Sequence, residues 1–367
     1  MGRRNASFRR RIASLCAFLS SRSGALDSLA EIGLANCWNA CGNRFRGSVL
    51  AGHAKRGSGM IPNRRLCPVR LHRVVCGAAF LWACASRPDS TTISGFASGL
   101  YYEESGSGEP LVLIHGFSLD RRMWEPQMDM LDDRFRVIRY DLRGHGRSVE
   151  IADSFAAYED LRAVLDAAGA ERAVLLGLSA GSQIAVDFAV AYPDRVDRLI
   201  LAGPSISGYV PTAGFAWMAP VVEAARAGKP EEAARLWAET TLMAVPTRPS
   251  ADSLMRSIVQ SNSRLWSYTT NPDRGLVPPA IGRLNGIDVP VLVIVGERDL
   301  PDIQKVADTL VACVPRAKKR VVTGAGHLVN LEVPEAFNEA VLEFLQAGRG
   351  RESREKLESP VDQVTCR

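Results

Sequence analysis

The pentapeptide Gly177-Leu178-Ser179-Ala180-Gly181 decides the fold of this chain because of the segments on either side of it. The apolar run 172–176 precedes it and has the length of a buried strand, and residues 182–190 follow it with the pattern of a helix that ends before Pro193. A strand, a sharp turn with serine at its apex and a helix are the context in which G-x-S-x-G forms a nucleophile elbow. Both glycines are required, because a Cβ at either position would crowd the adjacent strand and helix.

A serine hydroxyl is a weak nucleophile near neutral pH unless an imidazole accepts its proton. Of the five histidines in the chain, three lie beyond residue 90: His115, His145 and His327. His327 follows the strand-like run 319–322 in a loop flanked by glycines, which can present a side chain to a cleft. We therefore predict His327 as the base, and the alternative is a loop histidine without a catalytic role.

The carboxylate that orients this base is expected after the aliphatic strand 291–295, where a glycine turn is followed by acidic residues. Asp299 is the preferred candidate. Asp302 and Glu297 stay as alternatives, since acidic residues in such turns are often only solvated.

Four segments together resemble the α/β-hydrolase superfamily, and they occur in the order typical of that family. They are Leu113–Phe117 (LIHGF), Asp141–Ser148 (DLRGHGRS), the Ser179 elbow and Gly324–His327 (GAGH). The candidates Ser179, Asp299 and His327 follow the Ser-Asp-His order of that fold. The resemblance covers about residues 98–347 and is strongest to the small esterases, enol-lactonases and cofactor-free haloperoxidases.

The resemblance implies an oxyanion hole formed by two backbone N–H groups, those of Phe117 and Ala180. Each such donor contributes on the order of a hundredfold or more to the rate. His115 is expected to support the loop that carries Phe117, and His145 to belong to a tight turn near the pocket. The chain departs from many relatives at Ala180-Gly181-Ser182, where they have Met-Gly-Gly.

Apolar runs that alternate with helical segments predict a mainly parallel sheet with helices on both faces. The fold class is therefore α/β: a sheet of the eight-stranded α/β-hydrolase type, with a helical cap inserted between strands. The expected strands are Leu100–Glu103, Leu111–Ile114, Arg136–Tyr140, Ala173–Leu176, Arg198–Ala202, Val291–Val295 and Arg320–Val322. The expected helices outside the cap are 155–168, 182–191, 302–313 and 334–346.

The interval between Ala202 and Val289 breaks this alternation and predicts the cap, over about residues 205–285. Its helix-like stretches are Ala213–Ala227, Pro230–Leu242 and Ser250–Thr269. Its large apolar side chains favour an uncharged, hydrophobic substrate, although each of them is also suited to packing the cap helices together. The candidate pocket residues are Trp217, Trp237, Met243 and Trp266.

Charge and cysteine content set residues 1–90 apart from the rest of the chain. Of 45 basic and 40 acidic residues, 15 and 3 lie in this segment, so the remainder carries a net charge of about −7. This balance argues against a nucleic-acid partner. The cysteine spacings indicate no metal site, and no motif indicates a nicotinamide, flavin or other cofactor.

Residues 1–90 have the character of a basic, disordered leader, and 348–367 that of a charged, flexible tail. Within 60–85, four arginines precede an apolar run of 12 residues that ends in Ala83-Cys84-Ala85. This pattern is typical of a secretory or lipoprotein signal, and the run is too short for a stable membrane span. Two interpretations stay open: export with Met60 as the true start, or an extension of a cytoplasmic enzyme.

The function expected from these features is hydrolysis of a small-molecule ester or lactone through an acyl-enzyme. A serine at the elbow argues against the dehalogenase and epoxide-hydrolase branches, which use a carboxylate nucleophile. Three alternatives stay open on the same fold: a perhydrolase or haloperoxidase, a carbon–carbon bond hydrolase, and a ligand-binding signalling protein with slow turnover.

Overall fold

The computed structural model describes residues 92–212, 214–268 and 272–347. The predicted α/β-hydrolase domain, residues 91–347 between the leader and the tail, falls within these ranges apart from residue 91 and two short gaps. The leader 1–90, with its signal-like segment 60–85, and the tail 348–367 lie outside the described residues.

A single twisted sheet forms the centre of the described body. Its eight strands are β1 (Ile93–Ala97), β2 (Leu100–Gly106), β3 (Pro110–Ile114), β4 (Arg136–Tyr140), β5 (Ala173–Leu178), β6 (Val196–Ala202), β7 (Val291–Gly296) and β8 (Ala317–Val322). Their order in the sheet is β1-β2-β4-β3-β5-β6-β7-β8. The pairs β1 with β2 and β2 with β4 are antiparallel, and all the other pairs are parallel.

Helices cover both faces of the sheet, so its central strands are apolar on both sides. In β3, Leu111 and Leu113 belong to one hydrophobic core, and Val112 and Ile114 belong to the other. This explains why the central strands read as unbroken apolar runs rather than as alternating patterns. The helices outside the cap are α1 (Glu125–Asp132), α2 (Ala157–Ala167), α3 (Ala180–Ala191), α7 (Pro301–Cys313), α8 (Val329–Glu332) and α9 (Pro334–Ala347).

The cap lies between β6 and β7. Its helices are α4 (Ala219–Arg226), α5 (Pro230–Ala238) and α6 (Pro249–Ser261). Each has a proline in its first turn, where the missing N–H has no intrahelical partner to lose. The insertion predicted from the proline-punctuated interval is therefore present.

Buried hydrogen bonds fasten the cap to two loops of the sheet domain. At the end of α6, the side-chain amide of Asn262 donates to the carbonyls of Ser118 and Leu119, at 3.3 and 3.2 Å, and accepts from the N–H of Gly146 at 2.7 Å. From α5, the indole N–H of Trp237 donates to the Ser118 hydroxyl at 2.7 Å. The cap is consequently tied to the segments that surround the elbow.

The sequence-based fold prediction is confirmed, with differences at the edges of the sheet. Strand β1 was not predicted, because it is largely exposed and lacks an apolar run. Helix α1 was not predicted either. Strand β8 begins at Ala317 rather than Arg320, because Lys318 and Lys319 are exposed on this edge strand. Within the described ranges, no helix is both long enough and apolar enough to span a bilayer.

The close approach of backbone at Gly181 generates a stability prediction. A Cβ at this position would lie 2.1 Å from the carbonyl oxygen of Ile114 and 2.8 Å from that of His115. We expect Gly181→Ala to lower the free energy of unfolding by about 3 kcal/mol or more, because helix α3 and strand β3 would have to move apart. Gly282→Ala is the matched control, since a Cβ there meets nothing within 4 Å. Equal urea midpoints for the two variants would contradict the prediction.

Candidate active site

Ser179 lies at the turn between β5 and α3 with an unusual backbone conformation. Its φ is 55° and its ψ is −115°, a region that non-glycine residues rarely adopt. The surrounding glycines make the turn possible, because a Cβ at Gly177 would lie 2.3 Å from the carbonyl oxygen of Gly181. The Ser179 N–H donates to the carbonyl of Ala202 at 2.9 Å, which fixes the turn to β6.

Ser182, one of the two residues at which the chain departs from Met-Gly-Gly, stabilises the same turn. Its hydroxyl donates to the carbonyl of Ser179 at 2.6 Å and accepts from the N–H of Ser205 at 2.8 Å. The elbow is thereby connected to the segment that leaves β6 for the cap. Sequence reasoning noted Ser182 only as a difference and did not predict this role.

His327 and Asp299 form a buried pair in the loops after β8 and β7. The ring Nδ1 of His327 lies 3.1 and 3.0 Å from the two carboxylate oxygens of Asp299. The two residues are only 3% and 7% exposed. With Nδ1 protonated and donating to the carboxylate, the other ring nitrogen is left without a proton and can act as a base.

The alternative carboxylates have other partners. Asp302 accepts hydrogen bonds from the hydroxyl of Tyr209 at 3.0 Å and from that of Thr212 at 2.7 Å, at the start of the cap. Glu297 accepts from the N–H of Gly324 at 2.9 Å. Of the three acids considered from the sequence, Asp299 is therefore the one in contact with His327.

A further buried acid, Glu332, supports the loop that carries His327. Its carboxylate accepts from the N–H of Gly326 at 2.9 Å and faces the guanidinium of Arg298 at 3.3 Å. Burial raises the pKa of Glu332, while these donors act in the opposite direction. The sequence offered no signal for this residue, because it lies in a short helix that was not predicted.

His115 and His145 are buried, and the backbone occupies both nitrogens of each ring. His115 contacts the carbonyl of Gly116 through Nδ1 at 2.8 Å, and its Nε2 accepts from the N–H of Leu142 at 2.9 Å. His145 contacts the carbonyl of Arg143 at 2.9 Å and accepts from the N–H of Ser118 at 3.2 Å. Both rings are therefore neutral, with the proton on Nδ1. Neither has a nitrogen left to serve as base for Ser179.

Desolvation lowers the pKa values of both rings. Burial lowers the pKa of His115 from 6.5 to about 4. For His145, burial and the neighbouring His115 lower it to about 3. The two rings contact each other in a tilted arrangement, with 5.1 Å between centroids and 59° between planes, and they join the loops after β3 and β4.

Two backbone segments lie beside Ser179: the loop that leads to Phe117 and the first turn of α3. A Cβ built on Gly116 would lie 3.4 Å from the Cβ of Ser179, so the loop that leads to Phe117 runs close to the serine. Ala180 is the first residue of α3, where a backbone N–H has no intrahelical acceptor. The positive end of the helix dipole is directed at the same place.

Two neighbouring cavities open beside these residues. The smaller, about 70 Å³, is lined by Ser179 and His327 together with the pocket candidates Trp237 and Met243. The larger, about 550 Å³, is lined by Ala180 and by the candidate Trp266. The fourth candidate, Trp217, lines neither cavity and stacks on Trp237 at 6.0 Å between ring centroids.

Comparison with known proteins identifies the family to which this fold and site belong. Residues 111–340 match the model of the alpha/beta hydrolase family. A putative carbamate hydrolase, RutD of Caulobacter sp. (strain K31), is 30% identical over 69% of this chain and 97% of its own length. A 2-hydroxy-6-oxononadienedioate/2-hydroxy-6-oxononatrienedioate hydrolase of Paraburkholderia phymatum is 31% identical over 67% and 90%. The chain therefore belongs to the alpha/beta hydrolase family.

Solved structures of similar fold include esterases and lactonases. The match to a thermophilic esterase from Thermogutta terrifontis covers 71% of this chain and 100% of the esterase chain, with 27% sequence identity and a TM-score of 0.60. The match to the enol-lactonase from Burkholderia xenovorans LB400 covers 69% of this chain and 100% of the enol-lactonase chain, with 26% sequence identity and a TM-score of 0.56. The fold, the family resemblance and the hydrolase class expected from the sequence are confirmed.

The buried histidines generate a prediction about pH. Because the folded-state pKa values of His115 and His145 are about 4 and 3, the unfolded chain takes up protons first as the pH falls below 6.5. The stability due to these groups is complete above pH 6.5 and is lost as the pH falls, down to about pH 4 for His115 and about pH 3 for His145. We expect nitrogen NMR to find both rings neutral at pH 5, and urea unfolding to give a lower free energy there than at pH 7.5. A pKa near 6.5 for either ring would contradict this assignment.

Proposed function

We propose that this enzyme cleaves an ester or lactone of a small, largely apolar substrate through a covalent acyl-enzyme intermediate on Ser179. One observation carries the proposal: Ser179 and His327 line the same cavity, and Asp299 holds the Nδ1 of that histidine. A nucleophile beside a base that is itself oriented by an acid is the arrangement required for acyl transfer.

In the first half of the reaction, His327 accepts the hydroxyl proton of Ser179 while Oγ attacks the substrate carbonyl carbon. The carboxylate of Asp299 stabilises the imidazolium that forms and keeps the ring in the correct tautomer. His327 then donates its proton to the leaving oxygen as the carbon–oxygen bond breaks. The alcohol departs, or in a lactone stays attached as the far end of the acyl group.

The negative charge that develops on the carbonyl oxygen is held by the N–H groups of Phe117 and Ala180. Support for this role comes from the closeness of the Gly116 loop to Ser179 and from the position of Ala180 at the start of α3. Preorganised donors of this kind contribute on the order of a hundredfold or more each. In the second half of the reaction, His327 deprotonates a water molecule that attacks the acyl carbon. His327 then returns this proton to Oγ as the carbon–Oγ bond breaks, which releases the acid product and restores the Ser179 hydroxyl.

The residues that line the two cavities favour an apolar substrate. The smaller cavity is bounded by side chains such as Leu119, Leu242 and Met243. The larger cavity has three charged residues in its lining, Arg143, Asp160 and Asp273. Arg143 and Asp160 are joined by two hydrogen bonds, at 2.9 and 2.7 Å, and the carboxylate of Asp273 accepts from the N–H groups of Ala157 and Gly275, at 3.2 and 3.0 Å. The similarity to an esterase and an enol-lactonase agrees with an ester or lactone substrate.

Carbon–carbon bond hydrolysis is a second candidate for the same residues. It is favoured by the 31% identity to the hydrolase of Paraburkholderia phymatum, whose name denotes a dienedioate substrate. A panel of short esters, lactones and vinylogous diketones distinguishes the two, since the preferred substrate class has the higher kcat/KM.

Replacing the nucleophile provides the first test. We expect Ser179→Ala to lower kcat for a chromogenic short-chain ester by a factor on the order of 10⁴ to 10⁶, because no acyl-enzyme can form. Ser257→Ala is the control, since this serine is exposed on the cap helix α6. Circular dichroism should show the same fold for both variants. Undiminished ester hydrolysis by Ser179→Ala would refute the assignment.

A pair of aspartate variants tests the choice of the orienting acid. We expect Asp299→Asn to lower kcat by about 10⁴, because an amide favours the wrong tautomer of His327. Asp302→Asn keeps the pair intact and should change kcat only a few-fold, since Asp302 contacts Tyr209 and Thr212 instead. The reverse order of effects would transfer the role to Asp302.

A further inference from the structure

The side chain of Phe117 separates the two cavities beside the elbow. Its ring lines both of them and is 40% exposed. Its ring makes edge-on contacts with Trp237, in the wall of the small cavity, at 6.1 Å between ring centroids, and with Trp266 and His145, in the wall of the large cavity, at 5.5 and 6.0 Å. Trp237 and Trp266 also contact each other, at 5.6 Å. Phe117 therefore lies at the boundary of the two cavities, and its ring is packed within a cluster of aromatic side chains.

The two chambers differ in which residues of the proposed active site line them. The small one is lined by Ser179 and His327, and the large one extends from Ala180 along the first turn of α3, past Gln183 and Ile184. In acyl transfer, the leaving oxygen must face the histidine that protonates it, while the carbonyl oxygen faces the oxyanion donors. The remaining substituent of the reacting carbon, the acyl chain, must then extend away from His327.

From this geometry, and on the basis of the proposed serine hydrolase function, we propose that the enzyme is selective for esters of a bulky apolar acyl group with a small alcohol. The acyl group occupies the chamber of about 550 Å³, and the alcohol occupies the one of about 70 Å³. Phe117 enforces this orientation of the ester, because its ring closes the small chamber to larger leaving groups.

The composition of the large chamber favours an apolar acyl group over a charged one. Its wall includes Leu142, Ile151, Phe155 and Leu265, together with the neutral ring of His145. Of its charged residues, Arg143 and Asp160 pair with each other, and the carboxylate of Asp273 disfavours an anionic acyl group. Aromatic and aliphatic walls of this kind gain free energy from each methylene that they bury. A chamber of several hundred cubic ångströms is also in the usual range for small-molecule sites.

Two isomeric esters test this orientation at constant size and hydrophobicity. Methyl nonanoate has a large acyl group and a small alcohol, and octyl acetate has the reverse. We expect the full-length enzyme to hydrolyse methyl nonanoate with a kcat/KM about tenfold or more above that for octyl acetate, as measured by proton release. In Phe117→Ala, which leaves the backbone N–H in place, the chambers merge and this ratio should fall toward one, mainly through faster hydrolysis of octyl acetate.

Phe96→Ala serves as the control because this phenylalanine is 60% exposed on β1, at the opposite edge of the sheet from β8. It should keep the wild-type ratio. Phe117→Leu provides a second variant with an intermediate ratio should the alanine variant fold poorly. A wild-type ratio near or below one, or an unchanged ratio in both Phe117 variants, would overturn the proposed orientation while leaving the serine mechanism intact. Absence of hydrolysis of any ester would instead refute the proposed function itself.

Discussion

The backbone conformation of Ser179 is the constraint on which the rest of the site depends. A non-glycine residue with a φ of 55° between a buried strand and a helix is held there by its surroundings. Gly177 and Gly181 provide the space, and the hydrogen bonds of Ser182 and Ala202 secure the turn. The result is a serine lifted above the carboxyl end of the sheet, beside the first N–H of α3.

The loops that complete the site are positioned mainly through backbone hydrogen bonds to buried polar side chains. His115 and His145 join the loops after β3 and β4, Glu332 holds the His327 loop, and Asn262 connects the cap to both of the former. Because these groups are buried, losing one partner leaves the other unsatisfied, at a cost of about 1–3 kcal/mol. Four buried polar residues, His115, His145, Glu332 and Asn262, thus position the loops around Ser179 and His327.

Much of this arrangement was predictable from the sequence because it depends on local patterns. Buried parallel strands require unbroken apolar runs, and the elbow requires its glycines, so the sheet and the position of Ser179 at a strand–helix turn were both predicted. Asp299 was preferred as the orienting acid, but Asp302 and Glu297 stayed open, since the choice depends on a contact across 28 positions. Ser182 and Asn262 were missed as determinants of the site, because their importance lies in partners that no local pattern specifies. Strand β1 was missed because an exposed edge needs no apolar signal.

We infer that Ser179 attacks a carbonyl whose oxygen is held by the N–H groups of Phe117 and Ala180. This inference is tested most directly by the crystal structure of the enzyme after reaction with a serine-directed phosphonate ester. We expect a covalent bond from phosphorus to the Oγ of Ser179, with the phosphoryl oxygen about 2.7–3.1 Å from both backbone nitrogens. Attachment to a different residue, or a phosphoryl oxygen directed away from both N–H groups, would contradict it.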